Sequence, residues 1–281
     1  MAFRSVFLGV GFDQLTPEPL PEGSAAEGYA VTFCAQESAH LAVYFAVPVL
    51  RLASAGLLPL SRSLVDEVNA ERAGLAEKAQ KRIANAVAIS GVAAEYHTIQ
   101  KPHSETCDRV AAAARLSDLA IISRPSGGVS LDQRLIEVLL FTSGRPVLAV
   151  PPQWERGPQF DNIMVAWDGG QRAARAVGDA MPFLERAKKV EILCVSPDAP
   201  KSFDGADLAA HLARHCRNVT VTNLAPQAGD IARTLTAHAK IADGDLLVMG
   251  AYGHPRLVEM VLGGVTSGML VEAEVPVLLS Y

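Results

Sequence analysis

Short, almost wholly apolar runs alternate with stretches of helical periodicity along the whole chain, and the alternation runs its course twice. In the C-terminal half the runs are "NIMVAWDGG", "KKVEILCVS", "NVTVTNLA", "GDLLVMG" and "VPVLLSY". Each is short, apolar and bounded by turn residues, so each reads as a strand buried on both faces. Between them, Ala173, Ala176, Val177, Ala180 and Leu184 recur at helical spacing. So do Ile231, Thr234, Leu235, His238 and Ala242, and then Leu257, Val261, Val265 and Met269. A further helix is predicted over about Phe203 to Arg217. Pro182 inside the first of these patterns predicts a kink or break near Met181. Strands without a polar face, alternating with helices, need a parallel sheet covered on both sides and joined by right-handed crossovers. The fold class is therefore α/β, with five parallel strands in a doubly wound, Rossmann-like sheet.

The N-terminal half repeats the same grammar. "SVFLGVG" is a strand, 25–38 a helix, 41–49 a strand, and Leu64, Val68, Leu75 and Val87 mark a long helix. "AAEYHTIQ" is a strand and 105–116 a helix. "DLAIIS" then answers "DLLVMG", Leu131, Leu135 and Leu139 mark the last helix, and "RPVLAVP" answers "VPVLLSY". Pro146 and Pro276 lie 130 residues apart, and Asp118 and Asp245 lie 127 apart. The first copy is thus three residues shorter between these landmarks. The 281 residues read as two tandem domains, 1–150 and 161–281, joined by a Pro-rich polar linker over 151–160, "PPQWERGPQF".

Several function classes fall away at once. The net charge is −5 and no Lys/Arg run stands out, which argues against nucleic acid as a partner, since phosphate backbones are held by clustered positive charge. Cys34, Cys107, Cys194 and Cys216 form no C-x-x-C pair, so neither a disulfide framework nor a zinc ribbon is implied, and a reducing, cytoplasmic setting fits. No signal peptide is expected from the short run Val6 to Val10. Leu41 to Leu60 has the length of a membrane span, but Arg51 lies at its middle and Pro48 and Pro59 interrupt it. A central Arg costs roughly 2.5–3.5 kcal/mol on insertion, so no membrane partner is expected. The segment reads instead as a buried strand followed by an apolar loop, a candidate contact surface.

Chemistry concentrates after "DLLVMG". The chain there reads Gly250-Ala251-Tyr252-Gly253, nine residues, then Gly263-Gly264-Val265-Thr266. Glycines at the carboxyl edge of a doubly wound sheet let backbone N–H groups approach an anion, and a helix N-terminus adds partial positive charge. The spacing alone is equally compatible with a tight turn and a close helix contact. The pattern resembles that of the universal stress protein family: G-x-x-G, nine residues, G-[S/T], after the fourth strand and before a P-V-L closing strand. Gly250, Gly253 and Gly263 fall on its glycines, Pro276-Val277-Leu278 on its closing strand, and Asp168 on the acidic end of its first strand. The resemblance covers the second copy and, more faintly, the first, as in tandem members. It implies an adenine nucleotide, usually ATP, with or without Mg²⁺, across the carboxyl edge of the sheet. Asp168 would contact the nucleoside and Gly250 would lie beside the ribose. Gly253, Gly263, Gly264, Val265 and Thr266 would cradle the phosphates. His254 and Arg256 either meet a phosphate or lie in an exposed loop, and Tyr252 either packs on the nucleotide or covers the sheet edge. The chain departs from the pattern at Gly264, where the family has Ser or Thr.

The first copy departs further. Ser123-Arg124-Pro125-Ser126 stands for the first glycine pair and Gln133-Arg134 for the second, and Pro125 offers no N–H. Gly11 lies near the place of Asp168, with Asp13 close by. This copy reads as a structural partner without the nucleotide site, although Gly127-Gly128 could form a small anion site. His211, His215 and Cys216 lack a second ligand pair and read as a solvated helix face, and His238 as a core or boundary residue. Three functions compete. The first is a nucleotide-dependent regulatory protein of the stress response, and the second a scaffold of the same fold without nucleotide. The third is an enzyme, ranked last: neither a Walker loop nor a nucleophile–base pair can be assembled, which leaves slow ATP hydrolysis. The family resemblance also points to the two closing strands as the contact between copies, giving an intrachain pseudo-dimer, with further homodimerisation open.

Overall fold

The computed structural model describes residues 3–12, 23–51, 62–125, 131–196, 205–251 and 264–281. Its contacts divide the chain between Arg145 and Pro146 into two compact units. Among the described residues, no helix is long and apolar enough to cross a membrane.

The N-terminal unit runs β1 (Ser5–Gly11), α1 (Ala25–Glu37), β2 (His40–Ala46), α2 (Arg62–Ser90), β3 (Ala94–Ile99), α3 (His103–Ala114), β4 (Leu119–Ser123) and α4 (Leu131–Val138). A π-type turn, Leu139–Ser143, extends α4. The strands are parallel in the order β3-β2-β1-β4. Each apolar run became a strand because its side chains are buried on both faces, as Val6, Phe7, Leu8, Leu41, Val43, Phe45, Ile121 and Ile122 are. β2 stops at Ala46, earlier than expected. Pro48 has no N–H for a ladder, while Val47 and Val49 still donate to Ile99 and Lys101. The long helix is present, but its buried seam is Val65, Arg72, Ala76, Ala79, Ile83 and Val87, and Leu64 is exposed. Small alanines carry the seam, and Arg82 fixes α2 to α1 through two hydrogen bonds to Glu27, of 2.9 and 2.8 Å.

The C-terminal unit runs β5 (Val147–Val150), β6 (Asn162–Ala166), α5 (Gln171–Leu184), β7 (Lys189–Val195), α6 (Ala206–Leu212), β8 (Val219–Leu224), α7 (Ile231–Ile241), β9 (Leu246–Gly250), α8 (Gly264–Glu272) and β10 (Val277–Ser280). Five strands are parallel in the order β8-β7-β6-β9-β10. This is the N-terminal order carried one strand further. β5 adds a sixth strand antiparallel to β10, pairing Val147 with Leu279, Leu148 with Leu278 and Ala149 with Val277. Both strands are buried throughout, so the pairing covers an apolar edge that would otherwise invite association.

Two sequence expectations change here. α5 runs unbroken through Pro182 and ends two residues later, at Leu184; the proline denies the Gly178 carbonyl its ladder bond without ending the helix. α6 is shorter than predicted. Gly205, with φ 74°, holds its N-cap, and the chain leaves the helix after Leu212.

The two units share one bracing device. Asp118 accepts hydrogen bonds from the backbone N–H groups of Arg4 and Ser5, at 2.8 and 3.0 Å. Asp245 does the same for Asp161 and Asn162, at 3.0 and 2.8 Å. Each carboxylate ties the chain before the fourth parallel strand to the start of the first. Asp245 also receives Arg156 at 2.8 Å, whose guanidinium stacks on Trp154. Phe160 packs against Phe183, with ring centroids 4.4 Å apart. Residues 154–160 are thereby fastened to the C-terminal unit.

Candidate functional site

In each unit the strand order reverses beside the first strand, between β1 and β4 and between β6 and β9. Crevices at the carboxyl ends of such reversal points are where open α/β sheets bind ligands. The two registers allow the crevices to be compared position by position. Ser5 pairs with His40 as Asn162 pairs with Lys189, and Gly9 pairs with Ile122 as Ala166 pairs with Met249. Gly11 therefore holds the place of Asp168, and Ser123 that of Gly250.

In the C-terminal unit, β6 ends at Ala166 and Trp167 still bonds to Leu193, at 2.9 Å. Asp168 then turns the chain: its Oδ1 accepts from the N–H of Gly170 at 2.8 Å. Gly169 adopts φ 74°, a left-handed conformation that suits glycine. Gly170 caps α5. The Asp168 carboxylate is exposed and held at the positive end of α5, and its Oδ2 makes no hydrogen bond among the described residues.

Gly250 closes β9. A Cβ there would lie 2.6 Å from the backbone N of Ala173 and 2.6 Å from the carbonyl carbon of Arg172. Glycine is thus required for α5 to approach the strand. The next residue, Ala251, donates to the Ser280 carbonyl at 2.8 Å. Gly264 is the first described residue of α8, and among the described residues no atom lies within 4 Å of a Cβ built there. Val265 is half-buried, and Thr266 is buried, turned away from solvent. Tyr252, Gly253, His254, Arg256 and Gly263 lie outside the described residues.

Arg172 was not legible as a site residue. It stands in the first turn of α5, donates to the Ala251 carbonyl at 3.4 Å, and lays its guanidinium 4.0 Å over the Tyr281 ring. A basic residue in a polar first turn looks like any surface residue in a sequence. Only the pairing of Gly250 against α5 shows that it overhangs the carboxyl edge.

The N-terminal crevice is filled. A Cβ on Gly11 would meet the Asp132 Oδ1 at 2.6 Å and the Leu131 Cδ2 at 3.2 Å. The first turn of α4, with a carboxylate in it, thus sits on the end of β1. Phe12 is buried and bonds to Ala46 at 3.0 Å. Arg124 and a buried Pro125 follow β4. Gly127-Gly128 lies outside the described residues.

A second polar cluster interrupts the C-terminal core away from the crevice. Glu191, in the middle of β7, is buried. It accepts from Thr222 at 2.6 Å and Lys189 at 2.9 Å, and meets the His238 Nε2 at 3.1 Å. Burial pushes its carboxyl up, but the hydrogen bonds from Thr222, Lys189 and His238 outweigh it and hold the group below the usual carboxylate range. The charged residue inside "KKVEILCVS" was a readable signal for this cluster. His238 sits at the core boundary with Glu191 as its partner, while His215 points toward Glu185, 3.8 Å away. All four cysteines are buried, and none forms a disulfide. Burial, with Glu37 adding, pushes the Cys34 thiol up to about 12, which makes it inert.

Residues 159–280 match the model of the universal stress protein family. No curated protein matches the chain. Among solved structures, a universal stress protein from Archaeoglobus fulgidus is 19% identical and covers 98% of this chain and 97% of its own, with a TM-score of 0.72. A functionally unknown protein from Pseudomonas aeruginosa is 18% identical and covers 99% of this chain and 92% of its own, with a TM-score of 0.54. At these identities the likeness is one of fold.

Proposed function

We propose, because residues 159–280 match the model of the universal stress protein family, that the chain is an adenine-nucleotide-binding regulatory protein of the stress response, acting in the cytoplasm. It binds one nucleotide, ATP with or without Mg²⁺, in the C-terminal unit only. The observation that carries this reading is the contrast between the two crevices. One presents an exposed carboxylate at Asp168 and a Gly264 that no described residue crowds, at the start of α8. The other presents Gly11 beneath Leu131 and the Asp132 carboxylate, a group that repels phosphate. Asp168 would accept from the nucleoside, and the α8 N-terminus with Gly264, Val265 and the glycine loop would face the phosphates. On this reading the bound nucleotide acts by selecting a conformation or a partner.

The test is direct. Purified protein is denatured and the supernatant analysed for adenine nucleotide, alongside thermal unfolding with ATP and Mg²⁺. Ligand at 100 times Kd stabilises by about 2.7 kcal/mol. No released nucleotide and no shift would overturn the proposal.

A second reading draws on one observation. Gly250 is already required by its contact with α5, so that glycine needs no ligand to explain it. A scaffold protein of the same fold without nucleotide accounts for Gly250, but not for the exposed Asp168 carboxylate at the head of α5.

A further inference from the structure

We propose that Arg172 and Ser280 form an anion subsite on the α5 side of the C-terminal crevice, which reads the phosphate charge of the nucleotide. This rests on the nucleotide reading above and goes beyond the glycine loop.

Three observations converge. First, the Arg172 guanidinium has only neutral partners, the Ala251 carbonyl at 3.4 Å and the Tyr281 ring at 4.0 Å, and no ion pair among the described residues. It stands in the first turn of a 14-residue helix, where the helix dipole disfavours a cation and an incoming anion relieves the conflict. Second, the Ser280 side chain is buried, and among the described residues its Oγ finds no hydrogen-bond partner. Ser280 pairs in register with Gly250. Neighbouring residues paired this way in a parallel sheet face the same side, and at Gly250 that side is the one occupied by Arg172 and Ala173. A buried hydroxyl without a partner is costly unless a ligand satisfies it. Third, the other copy lacks both groups. Counting from the helix N-caps, Ser24 and Gly170, the counterpart of Arg172 is Ala26. Counting along the closing strands, the counterpart of Ser280 is Val150. The polar pair occurs only in the unit that also carries the glycine loop.

Arg172 is held in place rather than floating. The close approach at Gly250 fixes the backbone of Arg172 against β9, and the Tyr281 ring supports the guanidinium from below. A phosphate there would replace the weak 3.4 Å bond with a charge-assisted one, which Arg makes in a two-pronged geometry.

The test uses the full chain and calorimetry with two ligands, ATP and adenosine. Arg172→Gln should weaken ATP about tenfold or more and leave adenosine within twofold. Ser280→Val, which installs the residue of the other copy, should shift the same ratio in the same direction. Arg172→Lys, which retains the charge, should keep most of the preference for ATP. Unliganded melting curves of each variant monitor folding. An ATP-to-adenosine ratio unchanged in Arg172→Gln, with wild-type protein binding ATP, would overturn the subsite and leave the nucleotide reading standing. Wild-type protein that binds neither ligand would overturn both.

Discussion

The substitution Gly264→Ser separates the ligand role of the loop from its structural role. Gly264 is exposed and helical in α8, and among the described residues a Cβ there meets nothing within 4 Å. The new side chain therefore enters without strain. Without ligand, replacing glycine in a helix gains about 0.5 kcal/mol, which raises the melting temperature by roughly 1–2 °C in a unit of this size. With ligand, a hydroxyl bonded to a charged phosphate contributes on the order of 1.5–3 kcal/mol. At about 1.4 kcal/mol per decade, the Kd for ATP should fall roughly ten- to a hundredfold. Isothermal titration calorimetry of wild type and variant, with melting of the unliganded proteins alongside, reads both quantities. A variant that melts slightly higher but binds ATP no more tightly would refute the placement of phosphate at the head of α8.

Other outcomes follow from the packing. Gly250→Ala forces a Cβ to within 2.6 Å of two backbone atoms of α5 and should destabilise by about 1–3 kcal/mol, the usual cost of overpacking; urea unfolding checks this, and a neutral effect would mean α5 can retreat. Asp245→Ala strands the N–H groups of Asp161 and Asn162 and removes a carboxylate from Arg156, for a loss of about 1–3 kcal/mol. Asp118→Ala strands only Arg4 and Ser5 and should cost less; the reverse order would contradict the bracing role. Glu191 has its folded pKa below the ordinary 4.5, so its contribution is fully present above that value and fades as pH falls through the depressed folded pKa. The stability difference between wild type and Glu191→Gln should therefore be largest near neutral pH and shrink in steps below 4.5; a difference that does not vary with pH would show that the hydrogen bonds do not favour the charged form.

What the sequence made legible follows from which forces act locally. Strands buried on both faces leave continuous apolar runs, so β1, β6 and β9 could be read nearly residue by residue. The seam of α2 could not, because Ala76 and Ala79 carry it and Leu64, the obvious marker, faces solvent. The end of α6 was missed because the left-handed turn at Gly205 and the departure after Leu212 depend on contacts made elsewhere in the chain. At the candidate site, the glycine spacing stood out in the sequence, while Asp168 entered only through the family resemblance. The recurrence of Asp118 and Asp245 was visible, but its bracing role lies in hydrogen bonds more than 80 residues apart in sequence. Arg172 and Ser280 are each brought beside Gly250 only through the approach of α5 and the pairing of β9 with β10. The Glu191 cluster likewise joins three elements, with Thr222 31 residues away and His238 47.

On the proposed reading, one crevice of the two takes a nucleotide. Titration of the full chain with ATP and Mg²⁺ by calorimetry, with the stoichiometry as the readout, tests it most directly. One nucleotide per chain is expected, with binding weakened by removal of the Asp168 carboxylate, tightened by Gly264→Ser and untouched by Asp132→Ala. Two equivalent sites per chain, or none, would contradict it.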